Sequence, residues 1–266
     1  MKFKTRLFVI LWLAGFVGAL SFLLVDLSAL LSLLPVPPGR ELPPVTAGLK
    51  ILTVIQPMIF VSVAVLLGIV LAPKVGLAAP LAEAAAGNDQ PLGLALQPQI
   101  VPGLIGGLVG GLGIILVWVL FKPLLPPDFV ARSAELNNLL PLPTRLLYGG
   151  VTEELLLRWG LMTVLVWAAW RLLQRSQGQV RPVYVWGAII ISAIIFGVGH
   201  LPIALAIAHN ASVALVLYVI SANSLFGIIA GYLYWKKGLE SSVIAHMMAH
   251  VVMLSAIWTM SRWLFA

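Results

Sequence analysis

The sequence predicts an all-α protein, a polytopic transmembrane helical bundle of about seven to eight spans. Three observations lead there. Of 266 residues, 61% are hydrophobic and only 9% are charged, and the mean hydropathy is +1.06. A soluble domain carries roughly a quarter charged residues because its surface must be wetted, so the solvent of this surface is a bilayer. Low charge with abundant Leu, Ile and Val also excludes a disordered chain. Third, a ruler of roughly 20 apolar residues per span finds seven long segments, near 7–34, 51–72, 99–121, 145–170, 183–200, 211–234 and 241–264.

The first segment follows Lys2, Lys4 and Arg6, as the apolar region of a signal peptide would. Its apolar run is too long for that region and no small-x-small cleavage site ends it, so a retained helix is expected. Pro-rich connectors at 35–44, 73–98 and 123–143 remove backbone donors and are expected to stop helices. The interval 74–99 holds Asn88, Asp89 and Gln90, and reads as a surface loop with a short interfacial helix. In the third segment, Gly103, Gly106, Gly107, Gly110, Gly111 and Gly113 let helix backbones approach closely. Packing within one chain is expected there, not a homodimer seam. Residues 201–210, after the break at Pro202, allow an extra short helix and so an eighth span. No internal repeat is evident, which weighs against an inverted-repeat transporter.

Sixteen Lys and Arg against nine Asp and Glu leave a net charge of +7. The basic residues are dispersed at the edges of apolar runs, as loops at a membrane surface require, so nucleic acid is not an expected partner. The absence of cysteine excludes disulfides, thiolate nucleophiles, iron–sulfur clusters and Cys-ligated zinc. With seven spans, the N-terminal side collects Lys2, Lys4, Arg6, Lys74, Arg171, Arg175, Arg181, Lys236 and Lys237. The opposite side collects Arg40, Lys50, Lys122, Arg132, Arg145 and Arg262. That bias predicts a multi-pass protein of the plasma (inner) membrane with a cytoplasmic N-terminus.

The informative residues are charges inside apolar helices. Glu153, Glu154 and Arg158 lie within VTEELLLRWGLMTVLVWAAW, where each charge costs about 2.5–3.5 kcal/mol at the bilayer centre on insertion scales. Glu154 and Arg158 are four apart with the acid first, the favoured orientation for pairing. Glu153 points roughly 100° away, and its own i+4 neighbour is Leu157. Spacing therefore assigns Glu154–Arg158 to a neutralised structural pair and Glu153 to the free acid, suited to general-base work. The bland alternative is an ion pair locking two helices, which accounts for one glutamate more comfortably than for both.

Three of the four histidines also fall in apolar segments. Phe196 and His200 are four apart in IIFGVGHLP, and His246 and His250 are four apart in SVIAHMMAHVVML, on one face of the last helix. His209 falls in a loop and reads as solvated or interfacial. At 1.5 Å per residue, Glu153 lies roughly 12 Å along its helix from Arg145, and His246 and His250 roughly 10 and 16 Å inward from the 237–240 turn. Antiparallel helices place them in one layer. His200 falls nearer the far end, so either the fifth helix begins later than residue 183 or the site is a tilted cavity opening toward Pro202. Tyr218 and Asn223 in the sixth segment are candidates for its lining, with packing the commoner explanation of such residues.

Taken together, EExxxR (Glu153, Glu154, Arg158), FxxxH (Phe196, His200) and a final His followed four on by a polar residue (His246, His250) resemble the CAAX-protease and bacteriocin-processing (Abi) family of intramembrane endopeptidases, type II CAAX prenyl endopeptidase-like. The resemblance covers roughly 143–264. It implies one integral-membrane domain, with N-terminal helices and loops in 1–142 and catalytic core helices in 143–266. It further implies that Glu153 activates water, that Glu154 and Arg158 organise the site, and that His200 assists at the water or as a metal-site residue. His246 and its i+4 partner would stabilise the oxyanion. The family usually has Asn or Asp where this chain has His250. Neutral His still donates one N–H but can also protonate or bind metal, so the oxyanion role survives the exchange.

The implied partners are a peptide or protein substrate, either a lipidated C-terminal tail or a bacteriocin-like peptide, and the bilayer itself. The expected mechanism needs no cofactor. A zinc-dependent alternative would use His200, His246, His250 and Glu153 as ligands, although HExxH is absent because Met247 follows His246. Two other classes compete: a proton-coupled transporter, built from the same intramembrane Glu, Arg and His, and a non-catalytic immunity or scaffold protein.

Overall fold

The computed structural model describes residues 2–34, 44–208 and 210–264, with side chains through residue 259. Seven helical segments are long and apolar enough to cross a membrane: Phe3–Leu24, Ala47–Val75, Leu92–Leu124, Leu142–Leu172, Pro182–Ile207, Val213–Lys236 and Leu239–Thr259. They are referred to below as the first to seventh spans. Among the described residues there is no strand. The all-helical, polytopic architecture is as the composition requires. His209 and connector residues 35–43 lie outside the described residues.

Several boundaries differ from the sequence expectation, each for a local reason. The first segment does not run to residue 34. Asp26 accepts from the amides of Ser28 and Ala29 at 2.9 and 3.1 Å and so caps a separate short helix, Leu27–Ser32. The third span starts at Leu92 and carries Pro98 and Pro102 inside it. Pro98 therefore does not end a helix, in keeping with the tolerance of membrane helices for proline. In 74–91 the expected short helix is Pro80–Ala86, and its Ala82, Ala84 and Ala86 are buried, so it packs rather than floats at the interface. The 123–143 connector is not simply a breaker, because it contains a helix, Pro127–Leu139, that begins on a proline at its first turn. Leu201–Ile207 is helical but only seven residues long. It continues the fifth span past His200 and adds no eighth crossing.

The glycines of the third span pack within the chain, in two rows. Gly103, Gly107 and Gly111 face the seventh span, where side chains on them would meet Ile244, Met248 and Val252. Gly106, Gly110 and Gly113 face Leu233, Phe226 and Leu225 of the sixth. Spacing of three or four residues lays each row along one helix face, so one span seats two neighbours. Its remaining face, with Val101, Ile105, Leu108, Leu112 and Leu116, is exposed and is apolar as a lipid-facing surface must be.

The fourth span lies at the centre. Gly15 of the first span packs on Leu155, and Gly68 of the second lies under the Trp159 indole, whose Nε1–H reaches Val65 O at 3.4 Å. Thr163 Oγ1 and the Tyr234 hydroxyl of the sixth span are 2.8 Å apart. Leu7, Leu11, Val61, Val65, Leu155, Trp159 and Met162 form the main core around it. Leu125, Phe129, Ile207, Leu215 and Val219 form a second core, against which Trp118 and Tyr218 pack.

Candidate active site

Around the paired glutamates the fourth span is not a regular α-helix. Arg145–Thr152 and Leu155–Met162 are wound in wide i→i+5 turns, and the Glu153 N–H bonds to Tyr148 O. Such wide turns occur mostly as short insertions and frequently at functional sites. They change the angle that a regular helix would set between Glu153 and its neighbours.

Glu154 and Arg158 pair as their spacing predicts. Arg158 Nε lies 3.2 Å from Glu154 Oε2, with both side chains fully buried. Arg158 Nη2–H also donates to Gly227 O of the sixth span at 3.2 Å. The guanidinium stands over the Phe196 ring, 5.3 Å from its centroid, a cation–π contact. Glu154 does more than neutralise Arg158, because its Oε1 is 2.8 Å from His246 Nδ1. This contact orients the imidazole and turns its other nitrogen toward Glu153. His246 Nε2 and Glu153 Oε2 are 3.9 Å apart, too far for a direct hydrogen bond but close enough for one small molecule to touch both. The Glu153 carboxylate makes no hydrogen bond among the described residues, and its side chain is 20% exposed where Glu154 is sealed. Spacing within one helix showed the first of these contacts and none of the inter-helix ones.

His200 caps the helix Pro182–Gly199 within the fifth span. Its Nδ1–H donates to Phe196 O at 2.9 Å, which leaves Nε2 as the free nitrogen. The fifth helix begins at Pro182, close to where the sequence put it, so a later start does not explain the depth of His200. Phe196 bridges the gap instead: its ring meets His200 edge-on at 4.7 Å and His246 edge-on at 5.9 Å. The FxxxH motif thus supplies an aromatic spacer as well as an imidazole.

His250 stacks on His246 with ring centroids 5.0 Å apart and planes 13° apart. Both of its ring nitrogens are buried without a hydrogen-bond partner among the described residues. It fits because the fourth span presents Gly149, where a Cβ would lie 2.5 Å from His250 Nε2. We expect Gly149→Ala to displace this ring while keeping the fold, since alanine favours a helix over glycine by about 1 kcal/mol. A misplacement of about 1 Å at a reacting centre costs on the order of 10²-fold in rate. Turnover at unchanged melting temperature is the measurement.

The site residues named from the sequence therefore gather from the fourth, fifth and seventh spans. Tyr218 and Asn223 do not join them. Tyr218 packs with Trp118, Phe121 and Phe129, and Asn223 Nδ2–H returns to Val219 O at 2.8 Å. Gly149 and Tyr148 escaped sequence reasoning, and only the GG pair beside the acids marked the first. As to the zinc alternative on His200, His246, His250 and Glu153, among the described residues no group of three or more His, Asp or Glu side chains is placed to hold an ion.

A multi-pass helical membrane protein with acids, imidazoles and a guanidinium gathered between its spans belongs to the class of polytopic membrane proteins with an interior polar site. Residues 135–252, from before the fourth span into the seventh, match the family model described as Type II CAAX prenyl endopeptidase Rce1-like. The family implies a membrane peptidase, a hydrolase acting on peptide or protein substrates. No curated protein and no solved structure matches the chain.

Proposed function

We propose that this protein is an intramembrane endopeptidase that hydrolyses a peptide bond with water activated by Glu153. One observation carries the reading: Glu154 holds His246 by Nδ1 at 2.8 Å, so that Nε2 faces the Glu153 carboxylate at 3.9 Å. A water seated between them gives its proton to Glu153, and its oxygen attacks the substrate carbonyl. His200 Nε2, free because Nδ1–H is committed to Phe196 O, accepts from the same water. The developing oxyanion receives one N–H from His246, at Nε2, and one from His250. Donors fixed before charge develops need no reorganisation when it appears. The protonated Glu153 then returns its proton to the leaving amine, which closes the cycle without a cofactor.

The substrate in this reading is a membrane-associated peptide, either a lipidated C-terminal tail or a bacteriocin-like peptide. In the same reading the protein lies in the plasma (inner) membrane with a cytoplasmic N-terminus, supported by nine basic residues on the N-terminal side against six opposite.

The test is cleavage of a peptide library by the purified protein in detergent, with products identified by mass spectrometry. Cleavage that persists in a chelator and without any ion gradient is expected. Loss on chelation with stoichiometric zinc tracking activity would transfer the chemistry to a metal, and a requirement for a gradient would make the protein a transporter.

A further inference from the structure

The first span lies outside the family segment, yet it grips the part of the fourth span that carries Glu153. Thr152, fully buried, donates its hydroxyl to Gly15 O at 3.1 Å. Two turns earlier, Thr144 Oγ1–H donates to Ser21 O at 2.7 Å. Between them Tyr148 meets the Phe22 ring edge-on, with centroids 4.5 Å apart and planes at 88°. These three anchors border or belong to the wide-turned run Arg145–Thr152, which ends on Glu153.

A regular α-helix sets the direction of each side chain by its own repeat. An i→i+5 stretch is rare and poorly self-specified, so bonds to a neighbouring helix decide where Glu153 points. The close approach depends on Gly18, where a Cβ would overlap Thr152 Oγ1 and stand 2.6 Å from Leu147 O. Valine fills the same space as threonine, so what the Thr152 hydroxyl adds is direction.

We propose that the first span positions the Glu153 carboxylate, with Thr152 as the positioning residue acting through its hydrogen bond to Gly15 O. The proposal rests on the reading of Glu153 as the base, but its test does not. The chain has no cysteine, so Glu153→Cys places a unique thiol at that position, and its alkylation by a small maleimide reports where the side chain points. Adding Thr152→Val is expected to change the labelling rate about fivefold or more, while Thr152→Ser, which keeps the hydroxyl, stays within about twofold. In the protein with Glu153 intact, Thr152→Val is expected to lower kcat about tenfold with KM within about twofold, and Thr152→Ser to restore it.

Trp12→Phe is the control for simple loosening of the first span. It removes the 2.9 Å bond from Trp12 Nε1–H to Ser62 Oγ of the second span, and is expected to lower Tm while changing neither readout. An unchanged labelling rate in Thr152→Val overturns the proposal, and so does Trp12→Phe reproducing its effects. Labelling that responds in a protein that cleaves no peptide supports the positioning and defeats only the peptidase mechanism.

Discussion

Glu153→Gln is expected to abolish peptide cleavage while the protein inserts, folds and melts as before. Glutamine keeps the length and shape of the side chain, and its amide cannot take a proton from water. General-base catalysis contributes typically about 10²–10⁴-fold, so turnover should fall to that extent. The fold should tolerate the change because the Glu153 side chain makes no hydrogen bond among the described residues and is partly exposed. Glu154→Gln is the contrasting case. It strips Arg158 of its counter-charge and His246 of its anchor, and breaking a buried pair by removing one partner costs about 3–5 kcal/mol of stability. Two adjacent glutamates thus separate in a paired measurement of turnover and melting temperature. Full proteolysis by purified Glu153→Gln would end the mechanism.

The second large effect is at His246. Removing one oxyanion donor raises a barrier by roughly 3–4 kcal/mol, on the order of 10²–10³ in kcat. His246→Ala should therefore be nearly as crippling as Glu153→Gln. Its ring lies against Phe226 at 4.5 Å, Phe196 at 5.9 Å and His250 at 5.0 Å, so truncation also removes packing from a site drawn from three spans. His246→Phe separates the two contributions, since it keeps an aromatic ring and loses both nitrogens. Equal loss of kcat in the two variants assigns the effect to the nitrogens. Recovery in His246→Phe would assign it to packing and remove His246 from the chemistry.

Features that depend on spacing within one helix were legible before any coordinates. The apolar segments, the i,i+4 Glu154–Arg158 pair and the intrachain packing of the third-span glycines all follow from periodicity, and the structure repeats them. Features that depend on how a chain begins or kinks a helix were read less well. Asp26 starts a new helix by accepting two amides, and Pro98 sits within one, where a proline rule drawn from soluble proteins puts a stop. The helix Pro127–Leu139 was missed because prolines at both ends of the segment read as breakers, although one of them occupies the first turn, where a missing N–H costs nothing.

In the site, the roles ascribed to Glu153 and Glu154 came from an assumed regular helix, and the wide turns at Arg145–Thr152 and Leu155–Met162 have no signature in composition or period. The sequence by itself determined the solvent, the helical class, the approximate spans and the set of polar residues that an apolar chain retains, because these depend on transfer free energies and on spacing along one helix. Only the tertiary structure decided that Glu154 holds His246, that Phe196 spaces two imidazoles, that Gly149 makes room for His250 and that the first span braces Thr152. Each of those is a contact between helices distant in sequence, and its geometry is set by the packing of whole spans.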